Sequence, residues 1–295
     1  MGNHSSPSIW SHIVLTAFAP IIWGSTYIVT SALLPPDRPF TAALIRVLPA
    51  GLLLVLFTKY IPNKQQWSRL LIISALNIGL FQAFLFIAAY RLPGGLAAVL
   101  GAIQPLFVML LARLINRHRT NRLALGASVF GVLGMAILLL SPNTTWNFVG
   151  VLAALTGAIC MATGIFFTNQ WKLSIPVLAL TGWQLLLGGM MLLPVVWLAD
   201  APLPALSLTQ TLAYAYLCFA GALLAYILWF RGMIRLSPVA MSSLGLLSPL
   251  TAVVLGWVFL GQAMTGTSLL GLVMVLASVL VVQWAMAQSN NREIL

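Results

Sequence analysis

Arg91-Leu92-Pro93-Gly94, then Gly101, then Pro105-Leu106 is a stretch the chain uses twice, returning as Arg235-Leu236-Ser237-Pro238, then Gly245, then Pro249-Leu250. Arg91, Leu92, Gly101, Pro105 and Leu106 each fall 144 positions before Arg235, Leu236, Gly245, Pro249 and Leu250. Both copies put a proline inside an apolar run. Proline within a helix removes a backbone donor and clashes with the previous turn, at about 3 kcal/mol. In lipid, a matched pair of interrupted helices in two halves of a chain points to the binding site of a carrier. The repeated break therefore predicts a duplicated membrane carrier.

Composition agrees. The chain is 61% hydrophobic and 6% charged, with a mean hydropathy of +1.04. So little charge cannot cover a soluble domain. A spanning helix needs about 20 apolar residues. Ten segments qualify: Trp10 to Leu34, Phe40 to Lys59, Leu70 to Tyr90, Gly94 to Leu114, Leu123 to Leu140, Phe148 to Thr168, Val177 to Leu198, Leu212 to Phe230, Val239 to Leu260, and Thr267 to Ala287. The connections are short and rich in Pro, Asn and Gly, as in Leu34-Pro35-Pro36-Asp37-Arg38-Pro39 and Ser141-Pro142-Asn143-Thr144.

The net charge of +11 is an orientation signal rather than a nucleic-acid footprint. When alternate connections share a side, Lys59, Lys64, Arg69, Arg113, Arg117, Arg119, Arg122, Lys172, Arg231, Arg235 and Arg292 fall on the side of both termini. Arg38 and Arg91 lie opposite, and Arg46 is inside a span. The positive-inside bias then puts both termini in the cytoplasm. The first span, about 25 residues long, exceeds the apolar part of a cleaved signal. Cys160 and Cys218 stand alone in apolar spans and read as small core residues.

Five spans precede Ser141 and five follow Trp146, so the second half enters the membrane from the other side. The expected fold is an all-α membrane protein: ten transmembrane helices as two inverted five-helix repeats, residues 1–141 and 142–295, with both termini cytoplasmic. Arg46-Val47-Leu48-Pro49-Ala50-Gly51 in span two is echoed by Gln184-Leu185-Leu186-Leu187-Gly188-Gly189 in span seven. Gly126 and Gly271 open the last helix of each half. Inverted five-helix repeats enclose a central cavity, and rocking exposes it to either side in turn.

Several further stretches carry a family resemblance. They are Trp23-Gly24-Ser25-Thr26-Tyr27, Ala43-Leu44-Ile45-Arg46, and Gly95-Leu96-Ala97-Ala98 through Gln104-Pro105-Leu106-Phe107-Val108 to Gly131-Val132. In the second half they are Leu236-Ser237-Pro238-Val239-Ala240 through Pro249 to Leu260-Gly261. In order, over essentially the whole chain, they resemble the EamA branch of the drug/metabolite transporter superfamily. Ala19-Pro20-Ile21-Ile22-Trp23-Gly24-Ser25-Thr26-Tyr27 with Leu34-Pro35-Pro36-Asp37-Arg38-Pro39 looks like the subgroup associated with efflux of the blue pigment indigoidine. The resemblance implies export of a small metabolite (amino acid, derivative, drug or pigment) across a bacterial inner membrane. An importer or exchanger of the same fold is the alternative. The family usually carries a glutamate after a glycine at the inner end of span four and the outer end of span nine. Here those places hold Asn116-Arg117 and Gly261-Gln262.

A charge inside a bilayer is costly and so is a functional candidate. Arg46 is the basic residue well within a span, while Asp37, Asp200 and Glu293 lie in loops or the tail. Its guanidinium would hold a substrate carboxylate or carbonyl bidentately; the competing reading is a snorkelling anchor beside Asp37. The resemblance also places an Arg here. Thr16, Pro20, Trp23, Tyr27 and Thr30 share one face of span one, matched in span six by Thr156, Cys160, Thr163, Phe167 and Gln170. These faces make Trp23, Tyr27 and Thr163 cavity candidates. Asn77, Gln82, Gln104, Gln184 and Ser248 are the other buried polar side chains. Gln104 and Ser248 immediately precede the helix-breaking Pro105 and Pro249, where freed carbonyls need donors or line a cavity; Gln184 joins them as a candidate. Small-residue pairs such as Ala97/Gly101, Ala127/Gly131 and Ala153/Gly157 read as packing.

No phosphate-cradling loop and no His/Asp/Glu cluster at metal spacing occurs, so no cofactor or metal is expected. His4, His12 and His118 lie at the N-terminus or in the basic loop. An intramembrane enzyme would need a nucleophile beside a base, which no span offers. The partners expected are a small-molecule substrate and the lipid bilayer, without nucleic acid, for a monomer or homodimer.

Overall fold

Every regular element among the described residues is a helix. Lipid offers no partner to backbone N–H and C=O groups, so apolar segments must satisfy them internally. The computed structural model describes residues 9–91, 100–101, 103–117, 121–139, 147–260 and 266–292. In the first half, α1 is Ile9–Leu33 and α2 is Pro39–Thr58. The third helix, α3, joins Lys64–Ser74, a π-helical turn at Ala75–Gly79, and Leu80–Arg91. It is followed by α4, Gln104–Asn116, and α5, Arg122–Leu139.

The second half begins with α6, Phe148–Trp171, and α7, Val177–Ala199. Next, α8 joins Leu208–Cys218, a π-helical turn at Phe219–Leu224, and Ala225–Met233. Two pieces, Pro238–Leu244 and Leu247–Leu260, make up α9, and α10 is Gly266–Arg292. Among the described residues, seven helices are long and apolar enough to cross a membrane, in α1, α2, α3, α6, α7, α8 and α10. Three shorter apolar helices are Gln104–Asn116, Arg122–Ile137 and Pro238–Ala252. The first part of the segment expected from Gly94 lies outside the described residues.

The repeat reaches well beyond the prolines. The backbone N–H of Asn63 donates to Gln66 Oε1 at 2.9 Å at the start of α3. Ser207, at the same register in the second half, donates to Gln210 Oε1 at 2.9 Å at the start of α8. Such reciprocal caps satisfy donors that a helix start leaves over. The π-helical turns begin at Ala75 and Phe219, again in register.

Packing repeats as well. The most extensive contacts join α2 to α7 and α5 to α10. α1 runs against α8 and α9, and α6 runs against α3 and α4. Exchanging each helix for its counterpart turns this set of neighbours into itself. Glycine lets α2 and α7 touch: a methyl group at Gly51 would collide with the Leu186 backbone, and one at Gly189 would stand 3.0 Å from Leu48 Cα. Ser278 of α10 sits against Gly131 and donates to Ala127 O at 2.7 Å.

The helix break in α9 falls where proline chemistry puts it. Pro249 has no N–H to offer the carbonyl of Gly245, one turn earlier. Gly245 and Leu246 form a turn, with Leu246 N–H bonded to Ser243 O and Ser248 N–H to Gly245 O, each at 3.1 Å. Buried Gln283 of α10 supports the first piece, its Nε2 donating to Ala240 O at 2.9 Å and to Ser243 Oγ at 2.8 Å. Just before α4 a turn lies at Ile103, whose carbonyl accepts from Leu106 N–H at 3.0 Å.

Candidate functional site

Both halves line a cavity of ≈ 630 Å³. Four pairs in the shared register face it together: Gln82 with Tyr226, Leu85 with Trp229, Gly101 with Gly245, and Gln104 with Ser248. Gln82 Nε2 donates to Tyr226 Oη at 2.7 Å. A residue can bond its own counterpart only beside the axis that relates the halves, so this bond marks the pseudo-twofold axis. The helix breaks converge there too, since a Cβ on Gly245 would stand 3.6 Å from Gln104 Oε1.

Arg46 is 4% exposed. Its Nη2 donates to Gly221 O at 3.1 Å, and Trp23 Nε1 donates to the same oxygen at 2.9 Å. Gly221 lies in the π-helical turn of α8; such turns interrupt a helix's regular ladder and recur at functional sites. The guanidinium is therefore drawn across to the other half and does not snorkel toward the start of α2. Asp200 serves that start instead, its Oδ2 accepting from Thr41 N–H at 2.6 Å, a favourable place for an anion.

Aromatic rings close one end of the cavity. Trp23 stands 4.9 Å from Tyr226 and 5.0 Å from Trp229 between ring centroids, tilted by 55° and 56°. Beyond them, Asn169 Nδ2 ties the end of α6 to the α8–α9 connection, donating to Met233 O at 3.1 Å and Leu236 O at 3.0 Å. This is the end that carries Lys172, Arg231 and Arg235. At the other end the lining reaches Leu34, Pro35 and Pro36. Among the described lining residues Arg46 carries the only formal charge, and Thr26, Thr30, Gln82, Gln104, Ser242 and Ser248 add neutral polar groups. One cation, a few hydroxyls and amides, and an aromatic floor suit a small amphipathic solute with a carbonyl or carboxylate.

Of the residues expected from sequence, Trp23, Arg46, Gln104, Ser248 and Pro249 line this cavity, and Pro105, next to Gln104 in the chain, is buried but not part of the wall. The side chain of Tyr27 lies outside the described residues. Thr163 and Gln184 are elsewhere. The face α6 turns to the cavity is Ala154, Gly157, Ala158 and Met161, not the stripe through Thr163. Thr163 Oγ1 instead bonds its own helix, donating to Ile159 O at 2.7 Å. Gln184 is fully buried, with its Oε1 accepting from Asn77 Nδ2 at 2.9 Å, and Asn77 Nδ2 also reaching Thr168 Oγ1 at 3.0 Å. Gly101 and Gly157, read as packing residues, border the cavity, whereas Gly131 does pack. Tyr226 and Trp229 went unmarked in the sequence. Carrying the 144-residue register upstream from Arg91 and Arg235 would have paired them with Gln82 and Leu85.

A polar cavity between two related sets of apolar helices, with helix breaks paired at its centre, is the construction of a membrane transporter. The chain belongs to the EamA-like transporter family, whose profile matches residues 10–140 and again 148–284. It is 44% identical to Protein PecM of Dickeya dadantii over 90% of each chain. It is 32% identical to the uncharacterized inner membrane transporter YedA of Escherichia coli K12, over 88% of this chain and 87% of that one. With a probable amino-acid metabolite efflux pump of Salmonella typhimurium it shares 25% identity, over 89% and 91%. A solved crystal structure superposes with a TM-score of 0.78 over 95% of this chain and 99% of the other, at 17% identity, which shows a common fold. The chain is thus a multi-pass inner-membrane transporter and not an enzyme.

Proposed function

We propose that the protein exports a small amphipathic metabolite across the bacterial inner membrane by alternating access, as a secondary transporter. The observation that carries this reading is buried Arg46 in a cavity floored by Trp23, Tyr226 and Trp229, beside two paired helix breaks. Arg46 holds the carboxylate or carbonyl of the solute, and the rings hold its apolar body. The opening stretch that resembles blue-pigment exporters, and the similarity to an amino-acid metabolite efflux pump, favour a planar or amino-acid-derived solute moving outward.

The seven long helices and three shorter ones support ten spans, five in each half. The placement of Lys and Arg supports cytoplasmic termini. Cysteines at Lys64 and Arg119 should then react only from the cytoplasm, and cysteines at Asn143 and Gln262 only from outside. Metabolite profiling of the medium from cells lacking and overproducing the protein tests the export reading directly. A solute that accumulates outside with dose, and enters liposomes chemically unchanged, supports it. A medium that does not respond to dose overturns it.

A further inference from the structure

Four residue pairs line the cavity from both halves at once; others do not, among them three whose side chains carry polar groups in both halves. Trp23, Thr30 and Arg46 face it; their counterparts Thr163, Gln170 and Gln184 do not. If the halves exchanged conformations, as alternating access requires, the four axial pairs would stay on the cavity wall. These three polar pairs would trade places.

A second observation points to the same residues. Gln184 and Asn77 are fully buried, yet Gln184 Nε2 and Asn77 Oδ1 have no hydrogen-bond partner. Buried polar groups are normally satisfied, and leaving one unpaired is costly. In this conformation the amide pair carries two unmet hydrogen-bonding groups. Gln184 also repeats the geometry of Arg46, reaching from the second helix of its half into the π-helical turn of the opposite half's third helix.

We infer that Gln184, held by Asn77, which Thr168 in turn anchors, is a second substrate station. It lines, with Thr163 and Gln170, a cavity that opens at the Lys59 and Lys172 end when the present one is shut. In that state Arg46 withdraws from the wall, so the solute's polar end is held by a guanidinium on one side of the membrane and by neutral amides on the other. The inference rests on the alternating-access reading above. The Asn169 bonds to Met233 O and Leu236 O are the latch that must release before the second station is reached.

The test uses full-length protein with Cys160 and Cys218 replaced by alanine, carrying one new cysteine at Arg46, Gln184 or Thr163. A membrane-impermeant maleimide is applied to right-side-out and inverted vesicles. Arg46→Cys should react from one face, and Gln184→Cys and Thr163→Cys from the other, each at least tenfold faster than from the wrong face. A disulfide between cysteines at Asn169 and Leu236 should abolish labelling at position 184 and leave it at position 46. Reaction of all three positions from the same face, or silence at both 184 and 163, overturns the second station even where liposome flux proves transport. The expected labelling without any dose-dependent efflux leaves the second station standing and removes the export reading alone. Thr163→Cys guards against a Gln184 variant that does not fold.

Discussion

Arg46 and Gln184 hold matching places in α2 and α7, and each reaches into the π-helical turn of the other half's third helix. There the likeness ends. Arg46 shares a backbone carbonyl with Trp23 at the edge of the cavity, while Gln184 is sealed in an amide cluster with Asn77 and Thr168. Backbone geometry is duplicated, and side-chain chemistry is not. The repeat decides where a polar side chain must cross between halves. The residue standing there decides what the crossing can bind.

The largest expected effects test the duplicated part. Gly51→Val should collide with the Leu186 backbone, and Gly189→Val should crowd Leu48. Overpacking typically costs about 1–3 kcal/mol, and here it falls on one of the two most extensive helix pairs among the described residues. Both variants should lose thermal stability in detergent by similar amounts. A large loss in one and none in the other would break the symmetry of the α2–α7 contact.

Arg46→Ala comes next and tests the part that is not duplicated. Hydrogen bonds to charged groups contribute about 1.5–3 kcal/mol, so solute affinity should fall about ten- to a hundredfold at equal protein level. Arg46→Lys keeps the charge and loses the fork, and should fall between wild type and alanine. Gln184→Leu should weaken transport less than Arg46→Ala. Equal losses at both positions would mean the two sites do the same work.

Smaller effects belong to the axis. Tyr226→Phe and Gln82→Leu each remove the bond between the two counterparts. Interhelical bonds in membranes average about 0.6 kcal/mol and reach about 1.7. Either single change should lower the melting temperature slightly, and the double variant should lose no more than the worse single one. Additive losses would show that the two side chains do not act as a pair.

How much of this could be read from residues alone follows from the same contrast. Pro105, Pro249 and their glycines announced the helix breaks, because few residue types interrupt an apolar helix so sharply. Buried Arg46 announced itself because charge is rare in lipid. The cavity face of α6 did not, since Ala154, Gly157 and Ala158 make room by being small and carry no polar signature. Thr163 stays off this cavity wall for the opposite reason: a hydroxyl can be satisfied by its own helix, one turn back, so a threonine stripe need not face the cavity of this conformation. Tyr226 and Trp229 were hidden in an apolar run whose periodicity says nothing about which face is wet. His12, at the N-terminal end of the first expected span, stands in the first turns of α1, near Arg231 and Arg235.

The smallest expected effect is none, and it concerns energy coupling. Proton-coupled carriers relay protons through groups that change charge within the bilayer, which are chiefly Asp, Glu and His. The described lining of the cavity contains none of the three. Arg46 cannot replace them, since a guanidinium keeps its proton at any accessible pH. His12 is not among the lining residues, and Asp200 is committed to the start of α2. Asn116-Arg117 stands where the family usually has one of its helix-end glutamates; Gly261-Gln262, at the other such place, lies outside the described residues. An imposed pH difference at zero membrane potential should therefore leave liposome flux unchanged for a solute of fixed charge, which cannot itself carry the proton. Flux should follow the solute's own gradient, with potential acting only through the solute's charge. If such a solute instead accumulated against its gradient when only pH differed, a proton would have to cross beside Arg46. The two halves would then share a titratable path in addition to a repeated backbone.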